Sequence, residues 1–255
     1  GWKINYPFAK SRNNLKIISA KLSIGLPIYN EVKFVEKTLD SILSQSFNFF
    51  EFIIVDNYSN DGTYELLKKY SKKDKRIKLF RNKKNLGLVE NYNKVFNYSK
   101  GDYFSWIGAH DLYDENFFEL LIDKIKQNSR ISLVFSNVAK IDNENNLLDK
   151  EKNTGFKLKN SKLQRNLLMP FIIKGSGDMV CGIFKSKDLK KTTLFSNKVL
   201  NPDYLLITQI GIYGHIDKVE APLRKRRYFR KDEINFNKWS DKYITFKNRY
   251  IRNNG

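Results

Sequence analysis

Four short sequences within residues 22–111 decide the fold, because each stands where a strand would give way to a loop. In chain order they are LSIGLPIYNE (22–31), EFIIVDNYSNDGT (51–63), NLGLVENYN (85–93) and GDYFSWIGAHD (101–111). The first begins with an apolar run that alternates too little for an exposed strand, which indicates a buried parallel one. Apolar residues then recur at helical spacing from Val32 to Leu43. Strand and helix patterns continue to alternate up to residue 127, and this alternation predicts an α/β fold with a parallel sheet.

Polar residues follow the predicted strands, at the edge where such sheets bind ligands. They are Tyr29, Asn30 and Glu31, then Asp56 and Asn57, then Asn85, and finally His110 and Asp111. An aromatic ring can stack on a nucleobase, and a carboxylate can accept a hydrogen bond from a ring N–H. We therefore expect a nucleotide site containing Tyr29 and Asp56. Ordinary packing of Tyr29 and a turn-capping role for Asp56 are the alternative interpretations.

Taken in order, the four segments resemble the nucleotide-sugar-binding half of a family 2 glycosyltransferase of the GT-A type. This resemblance implies a Rossmann-like, mostly parallel central sheet flanked by helices, followed by an acceptor-binding second half. It also implies four parts of the chain: an N-terminal extension (1–20), a nucleotide-sugar-binding half (21–112), an acceptor-binding and catalytic half (113–230) and a basic tail (231–255). The residues that we expect to bind the nucleotide are Pro27, Tyr29, Glu31, Asp56, Asn85 and Gly87.

The fourth segment departs from the family pattern. Members usually carry a carboxylate-rich Asp-x-Asp type motif that holds a divalent cation against the sugar diphosphate. Here the sequence is Gly108-Ala109-His110-Asp111, so Asp111 matches the last aspartate and His110 stands where another is expected. Imidazole suits softer transition metals, whereas Mg²⁺ prefers oxygen ligands. The resemblance therefore implies a divalent cation, with Mn²⁺ favoured over Mg²⁺, while a structural role for His110 remains the alternative.

The second half resembles the family more weakly. A strand over 132–140, a polar excursion over 143–160 and a short helix around 163–168 lead to GSGDMVCGIFKSKDL (175–189), which is similar to the family's glycine-bearing stretch near the acceptor. A helix with Leu205, Leu206 and Ile210 on one face then ends at Gly214.

That helix resembles the family element whose first turn carries the catalytic aspartate, which assigns the role of general base to Asp203. Direct displacement requires a group that takes the proton of the acceptor hydroxyl. The family often has Glu-Asp at this point, whereas this chain has Pro202-Asp203. The alternative role for Asp203 is an interaction with the helix dipole, and Asp178 is the next candidate for the base.

A formal net charge of +20 requires a partner of opposite charge. Because the lysines are spread along the chain without a recognised nucleic-acid module, no nucleic-acid partner is expected. The run from Arg224 to Lys231 contains Tyr228 and Phe229, a mixture that could hold a diphosphate or rest on an anionic membrane. Arg226 and Arg227, with Asp178, are the weaker candidates for contact with the diphosphate or the acceptor.

The remaining features concern location. The single cysteine, Cys181, cannot form an internal disulfide, and a small buried apolar residue is the expected role. No apolar run approaches the roughly 20 residues of a membrane-spanning helix, and the first ten residues lack the apolar centre of a signal peptide. We therefore expect a cytoplasmic protein, with peripheral contact at the inner face of the membrane.

The resemblance implies an inverting transfer of a sugar from a nucleotide-sugar to a surface glycan or its lipid-linked precursor. A UDP-sugar is the first choice of donor, with GDP- and dTDP-sugars open. A nucleotidylyltransferase is disfavoured because its glycine-rich, arginine-bearing loop is replaced by PIYNE (27–31). A catalytically silent carbohydrate- or nucleic-acid-binding protein remains the alternative, since His110 and Pro202 both stand where carboxylates are expected.

Overall fold

The computed structural model describes residues 21–149, 161, 163 and 176–228. Nine strands of this part of the chain form one sheet: β1 (Leu22–Ile28), β2 (Phe50–Asp56), β3 (Ile77–Arg81), β4 (Tyr103–Trp106), β5 (Leu112–Tyr113), β6 (Ile131–Ile141), β7 (Leu147–Asp149), β8 (Ile183–Lys185) and β9 (His215–Arg227). The helices are α1 (Val32–Leu43), α2 (Thr63–Lys73), α3 (Leu88–Asn97), α4 (Phe117–Lys126), α5 (Ser176–Val180), α6 (Ser186–Leu189) and α7 (Pro202–Tyr213). None of these helices has the length and apolarity needed to cross a bilayer.

The strand order is β3-β2-β1-β4-β8-β6-β9-β5, with β7 paired to β6. Strands β3, β2, β1 and β4 are parallel to one another, as the alternation of strand and helix predicts. The second half joins this parallel part through β8, which is antiparallel to both β4 and β6. Strand β9 runs parallel to β6 and carries β5 antiparallel on its other side. One sheet therefore extends through both halves of the sequence.

Helices cover both faces of the sheet. Buried side chains of α1, α2 and α4 pack in one apolar cluster with β1 and β2. Those of α3, α5, α6 and α7 pack in a second cluster on the other face. Helix α3 approaches β1 at Gly25, where an added Cβ would lie 2.4 Å from Val95 Cγ1. This close approach requires glycine at that position.

The structure confirms the α/β architecture, the alternation of strands and helices up to residue 127 and the strand expected over 132–140, which spans Ile131–Ile141. Three details of the second half differ. The expected polar excursion contains the short strand β7, and β9 was not anticipated from its sequence. Leu205 of α7 is partly exposed, whereas the packed face consists of Leu206, Ile207 and Ile210. The helix expected around residues 163–168 and the terminal segments 1–20 and 231–255 lie outside the described residues, apart from Leu163.

Candidate functional site

The loop after β1 is held against the loop after β2 at the carboxyl edge of the sheet. The backbone N–H of Asn30 donates to Ser59 Oγ at 2.9 Å, and that of Glu31 donates to Thr63 Oγ1 at 2.9 Å. Asn30 has a φ of 54°, a left-handed conformation that asparagine adopts more readily than most residues. This geometry leaves the ring of Tyr29 exposed at the sheet edge, with 44% of the residue accessible to solvent.

Asp56, at the end of β2, is fully buried and paired. Its carboxylate accepts the backbone N–H of Ser59 and lies 3.0 Å from Arg81 Nε. The guanidinium of Arg81 also stacks over Tyr64 at 4.1 Å and near Tyr58 at 5.2 Å. Sequence reasoning missed Arg81, although it ends β3 directly beside Asp56 in the register of the two strands. The candidate base-binding carboxylate is therefore part of a charge pair whose cation reaches the surface.

The loop before α3 is supported by side-chain amides. Asn57 Nδ2 donates to Asn85 Oδ1 at 2.8 Å, and lies 3.2 Å from the carbonyl oxygen of Gly87. Gly87 has a φ of 82°, which favours glycine, and its N–H donates to Asn85 Oδ1 at 2.8 Å. Pro27 is buried within β1, opposite Val55 of β2. Asn85 and Gly87 are thus exposed in the loop before α3, whereas Pro27 is buried.

Asp111 is buried beneath the loop after β4, with 4% of the residue exposed. Its Oδ1 accepts the backbone N–H of Arg227 at 3.1 Å, and its Oδ2 lies 3.7 Å from Arg224 Nε. The hydroxyl of Thr38, on α1, lies 2.8 Å from the carbonyl oxygen of Asp111 and 3.0 Å from that of Ala109. The loop that carries Asp111 is therefore held by α1 on one side and by β9 on the other.

His110 faces the loop after β1. Its Nδ1 lies 3.1 Å from Glu31 Oε1, and its carbonyl oxygen accepts a hydrogen bond from Arg227 Nε at 3.0 Å. Burial lowers the pKa of His110, but the Glu31 hydrogen bond and the nearby Asp111 charge outweigh that effect and raise the pKa above 6.5. This contact joins Glu31, a predicted nucleotide-binding residue, to the loop that carries the predicted metal ligands His110 and Asp111.

Asp178 is buried in an ion-pair cluster with arginines from β9. Its Oδ1 accepts hydrogen bonds from Arg224 Nη2 and, at 3.0 Å, from Arg226 Nη1. Arg224 is 2% exposed and Arg227 is 3% exposed, so these members of the basic run cannot rest on a membrane. The guanidinium of Arg227 is bonded to the loop of Asp142 and to the carbonyl of His110. Among the candidates for contact with the diphosphate, Arg226 keeps a partly exposed side chain.

Asp203 lies in the first turn of α7, after the N-cap Asn201 and Pro202. Its Oδ2 accepts a hydrogen bond from Ser176 Oγ at 2.8 Å. Ser176 begins α5, the same short helix that carries Asp178. The structure therefore connects Asp203 through α5 to the Asp178–Arg224 pair, and through Arg224 to the region of Asp111.

The fit of a divalent cation depends on His110 and Asp111. Within residues 21–149 and 176–228, and at 161 and 163, no three or more His, Cys, Asp or Glu side chains are arranged to hold a metal. Cations that bind nucleotides often take only one or two protein ligands, the remainder being phosphate oxygens and water. The Glu31 carboxylate on His110 Nδ1 also matches the support that metal-ligating histidines usually receive. His110 therefore has the carboxylate support of a metal-ligating histidine, whereas both carboxylate oxygens of Asp111 face groups of β9.

The fold resembles solved glycosyltransferase structures. That of S. aureus TarS 1–349 in complex with UDP-GlcNAc has a TM-score of 0.61 at 18% identity, covering 82% of this chain and 58% of that one. The mannosyltransferase PcManGT from Pyrobaculum calidifontis, in complex with GDP-Man and Mn²⁺, has a TM-score of 0.60 at 16% identity, covering 81% and 56%. The class of protein is a glycosyltransferase with the GT-A fold, which confirms the predicted fold class.

Residues 23–191 match the model of Glycosyl transferase family 2, and the chain belongs to that family. It is 32% identical over 214 residues to the uncharacterized glycosyltransferase MJ1057 of Methanocaldococcus jannaschii, covering 83% of this chain and 72% of the relative. It is 25% identical over 230 residues to a chondroitin synthase of Escherichia coli, covering 85% of this chain but 31% of that protein. The resemblance inferred from the four segments is confirmed.

Proposed function

We propose that this glycosyltransferase moves a sugar from a UDP-sugar to a glycan or lipid-linked acceptor, with inversion, in surface-polysaccharide biosynthesis. The observation that carries the proposal is the buried Asp56–Arg81 pair at the sheet edge, beside the exposed ring of Tyr29. The relatives support the donor and acceptor classes, since one neighbour binds UDP-GlcNAc and one relative is a chondroitin synthase. Residues 21–112 are the proposed nucleotide-sugar half and 113–230 the proposed acceptor half.

The donor nucleotide is proposed to bind across the loops after β1, β2 and β3. Asp56 accepts an N–H of the base, and the ring of Tyr29 stacks on its face. Arg81, which the sequence reasoning did not include, neutralises Asp56 and offers guanidinium N–H groups to a pyrimidine carbonyl. Pro27 and Glu31 shape the first loop, and Asn85 and Gly87 shape the rim before α3.

The donor diphosphate is proposed to lie between the His110–Asp111 loop and Arg226. A divalent cation at His110 and Asp111 would neutralise charge on the departing nucleoside diphosphate. Mn²⁺ is proposed over Mg²⁺ because imidazole is a softer ligand than a carboxylate. Arg227 holds this loop through its bond to the carbonyl of His110, so its proposed contribution is to position His110 and Asp111.

Asp203 is the proposed general base. The residue is partly exposed, and its carboxylate is oriented by a hydrogen bond from the hydroxyl of Ser176 rather than by a cation. Asp178 is less suited to accept a proton, because two guanidinium groups already donate to its Oδ1. In a single displacement, the acceptor oxygen attacks the anomeric carbon while Asp203 takes the hydroxyl proton, and the nucleoside diphosphate leaves.

A screen of sugar nucleotides tests the proposal. We expect saturable binding of UDP or a UDP-sugar by calorimetry, and slow release of UDP from the matching donor with Mn²⁺ present. The second candidate function, a silent carbohydrate- or nucleic-acid-binding protein, rests on His110 and Pro202, which replace expected carboxylates. Sugar-nucleotide binding without any hydrolysis or transfer, across all donors and cations, would favour that candidate instead.

A further inference from the structure

The outward face of α7 differs from that of an ordinary surface helix. Of its twelve residues, Asp203 is the one that carries a charge, and its carboxylate is bonded to Ser176 of α5. The partly or fully exposed residues of the helix are otherwise Pro202, Tyr204, Leu205, Thr208, Gln209, Ile212 and Tyr213. By contrast, the partly or fully exposed residues of α2 include the charged residues Glu65, Lys68, Lys69, Lys72 and Lys73. A helix facing water normally carries charged side chains on that face, so the outer face of α7 suits a less polar environment.

The segment that leads into α7 extends this apolar face. Leu200 is 77% exposed and Val199 is 40% exposed, immediately before the N-cap of the helix. The segment is fixed alongside the helix, because Thr193 N–H donates to Gln209 Oε1 at 2.9 Å and Tyr213 OH donates to the carbonyl of Lys191 at 2.9 Å. Segment and helix therefore form one continuous surface.

Lysines border this surface. The sequence from 187 to 200 contains Lys187, Lys190, Lys191 and Lys198, against the single acidic residue Asp188. Asp188 is 5% exposed and accepts hydrogen bonds from Ser132 and, at 2.9 Å, from Lys191, so its charge is not presented outward. Lys187, Lys190 and Lys198 are exposed as well. Lys191 Nζ also lies 5.1 Å from the ring centre of Tyr213. Exposed leucine, tyrosine at the border and surrounding lysines are the composition of protein surfaces that bind anionic bilayers.

We infer that the outer face of α7, together with residues 187–200, is a docking surface for an anionic phospholipid bilayer. Leu200 and Val199 enter the boundary between headgroups and acyl chains, while the lysines contact the headgroup phosphates. This inference rests on the proposed function for its purpose, since the helix that docks begins with the proposed base Asp203. Docking there would bring the base to the surface that holds a lipid-linked acceptor.

The test is co-sedimentation of the whole chain with phosphatidylcholine vesicles that contain phosphatidylglycerol, compared with pure phosphatidylcholine. We expect binding to the anionic vesicles that weakens with salt. The double variant Val199→Ser/Leu200→Ser should bind roughly tenfold more weakly, because each serine removes buried apolar area. The matched control is Leu147→Ser/Leu148→Ser, which changes two exposed leucines on β7 and should leave vesicle binding unchanged.

Charge-reversal variants distinguish the docking surface from the basic face of α2. Lys190→Glu/Lys198→Glu should reduce anionic-vesicle binding at least roughly tenfold, whereas Lys69→Glu/Lys72→Glu should have little effect. The inference is overturned if Lys69→Glu/Lys72→Glu causes the loss of vesicle binding, or if Val199→Ser/Leu200→Ser and Leu147→Ser/Leu148→Ser bind vesicles equally well. It is also overturned if Val199→Ser/Leu200→Ser changes only the oligomeric state in sedimentation equilibrium. Calorimetry with UDP on the same variants tests the proposed function independently of the docking surface. Vesicle binding without UDP affinity would contradict the proposed function alone. UDP affinity without vesicle binding would contradict the docking surface alone.

Discussion

Arg224 Nε lies 3.7 Å from Asp111 Oδ2, while the other end of the same buried guanidinium is bonded to Asp178. One cation thus stands between two buried carboxylates from different halves of the sequence. The charge of Arg224 is favoured by Asp111 and Asp178, which hold its pKa well above the usual value despite burial. Arg224 therefore links the loop after β4 to α5 and β9.

The first prediction is that Arg224→Met destabilises the fold by about 3 to 5 kcal/mol, the range for removing one partner of a buried charge pair. Methionine fills a similar volume but leaves Asp111 and Asp178 without their shared cation. Urea unfolding followed by circular dichroism measures the change. The matched control is Lys225→Met, whose pair with Asp114 is exposed on both sides and should contribute about 0 to 1 kcal/mol. Equal losses of unfolding free energy in Arg224→Met and Lys225→Met would contradict the role of Arg224 as the shared partner of Asp111 and Asp178.

Much of the first half could be predicted because its signals are local. The apolar run 22–28, the helical spacing from Val32 to Leu43 and the polar residues after each strand are all properties of neighbouring residues. The burial of Arg224 and Arg227 could not be predicted in the same way, because it depends on β9 pairing with β6 and β5. Those strands are distant in sequence, so the basic run looked like an exposed surface.

The motif Gly108–Asp111 is a second case in which the sequence alone does not show the contacts. Sequence comparison with the family pattern places Gly108 at the start of the motif but does not show why a glycine stands there. In the structure, an added Cβ on Gly108 would lie 2.7 Å from Asp111 Oδ2, so the Asp111 carboxylate occupies the space that a side chain at 108 would need. The missed residue Arg81 is different. It is the last residue of β3, beside Asp56 at the end of β2, and considering the end of β3 in the same way as that of β2 would have found it.

A second prediction concerns the donor site. Asp56→Ala should weaken UDP binding by about 1 to 3 kcal/mol, the cost of losing the partner of a buried polar group. Arg81→Met should also weaken it, because the charge pair and the proposed contact with the base are lost together. The control is Asp74→Ala, which breaks another aspartate–arginine pair, with Arg76, at the opposite end of β3. Isothermal calorimetry with UDP is the measurement. No affinity in the unaltered chain, with or without Mn²⁺, would contradict the donor site itself.

A third prediction concerns the cation. Transfer should be faster with Mn²⁺ than with Mg²⁺, and His110→Asp should narrow that difference because a carboxylate is a harder ligand than imidazole. The chain has two histidines, so His215→Gln, at the start of β9, is the matched control and should leave the preference unchanged. The measurement is the initial rate of transfer with Mn²⁺, with Mg²⁺ and with a chelator. Full activity in chelator would remove the metal role assigned to Asp111 and His110.

The last prediction is that loss of the Asp203 carboxylate separates the chemical step from donor binding. Asp203→Asn keeps the side-chain shape and can still accept the hydrogen bond from Ser176, but it cannot take the acceptor proton. The transfer rate should therefore fall by roughly 10²- to 10⁴-fold while UDP affinity stays nearly unchanged. Steady-state rates with a competent acceptor, beside a UDP titration on the same variant, measure both quantities.

Ser176→Ala and Asp178→Asn show whether the carboxylate acts as a base or only supports the start of α7. Ser176→Ala leaves the Asp203 carboxylate in place but removes its orienting hydroxyl, so its rate should lie between those of the unaltered chain and Asp203→Asn. A purely structural Asp203 predicts a different order, because asparagine supports a helix start almost as well as aspartate and its rate would barely move. A transfer rate for Asp203→Asn within a few-fold of the unaltered chain, together with a large loss in Asp178→Asn at unchanged stability, would transfer the role of base to Asp178.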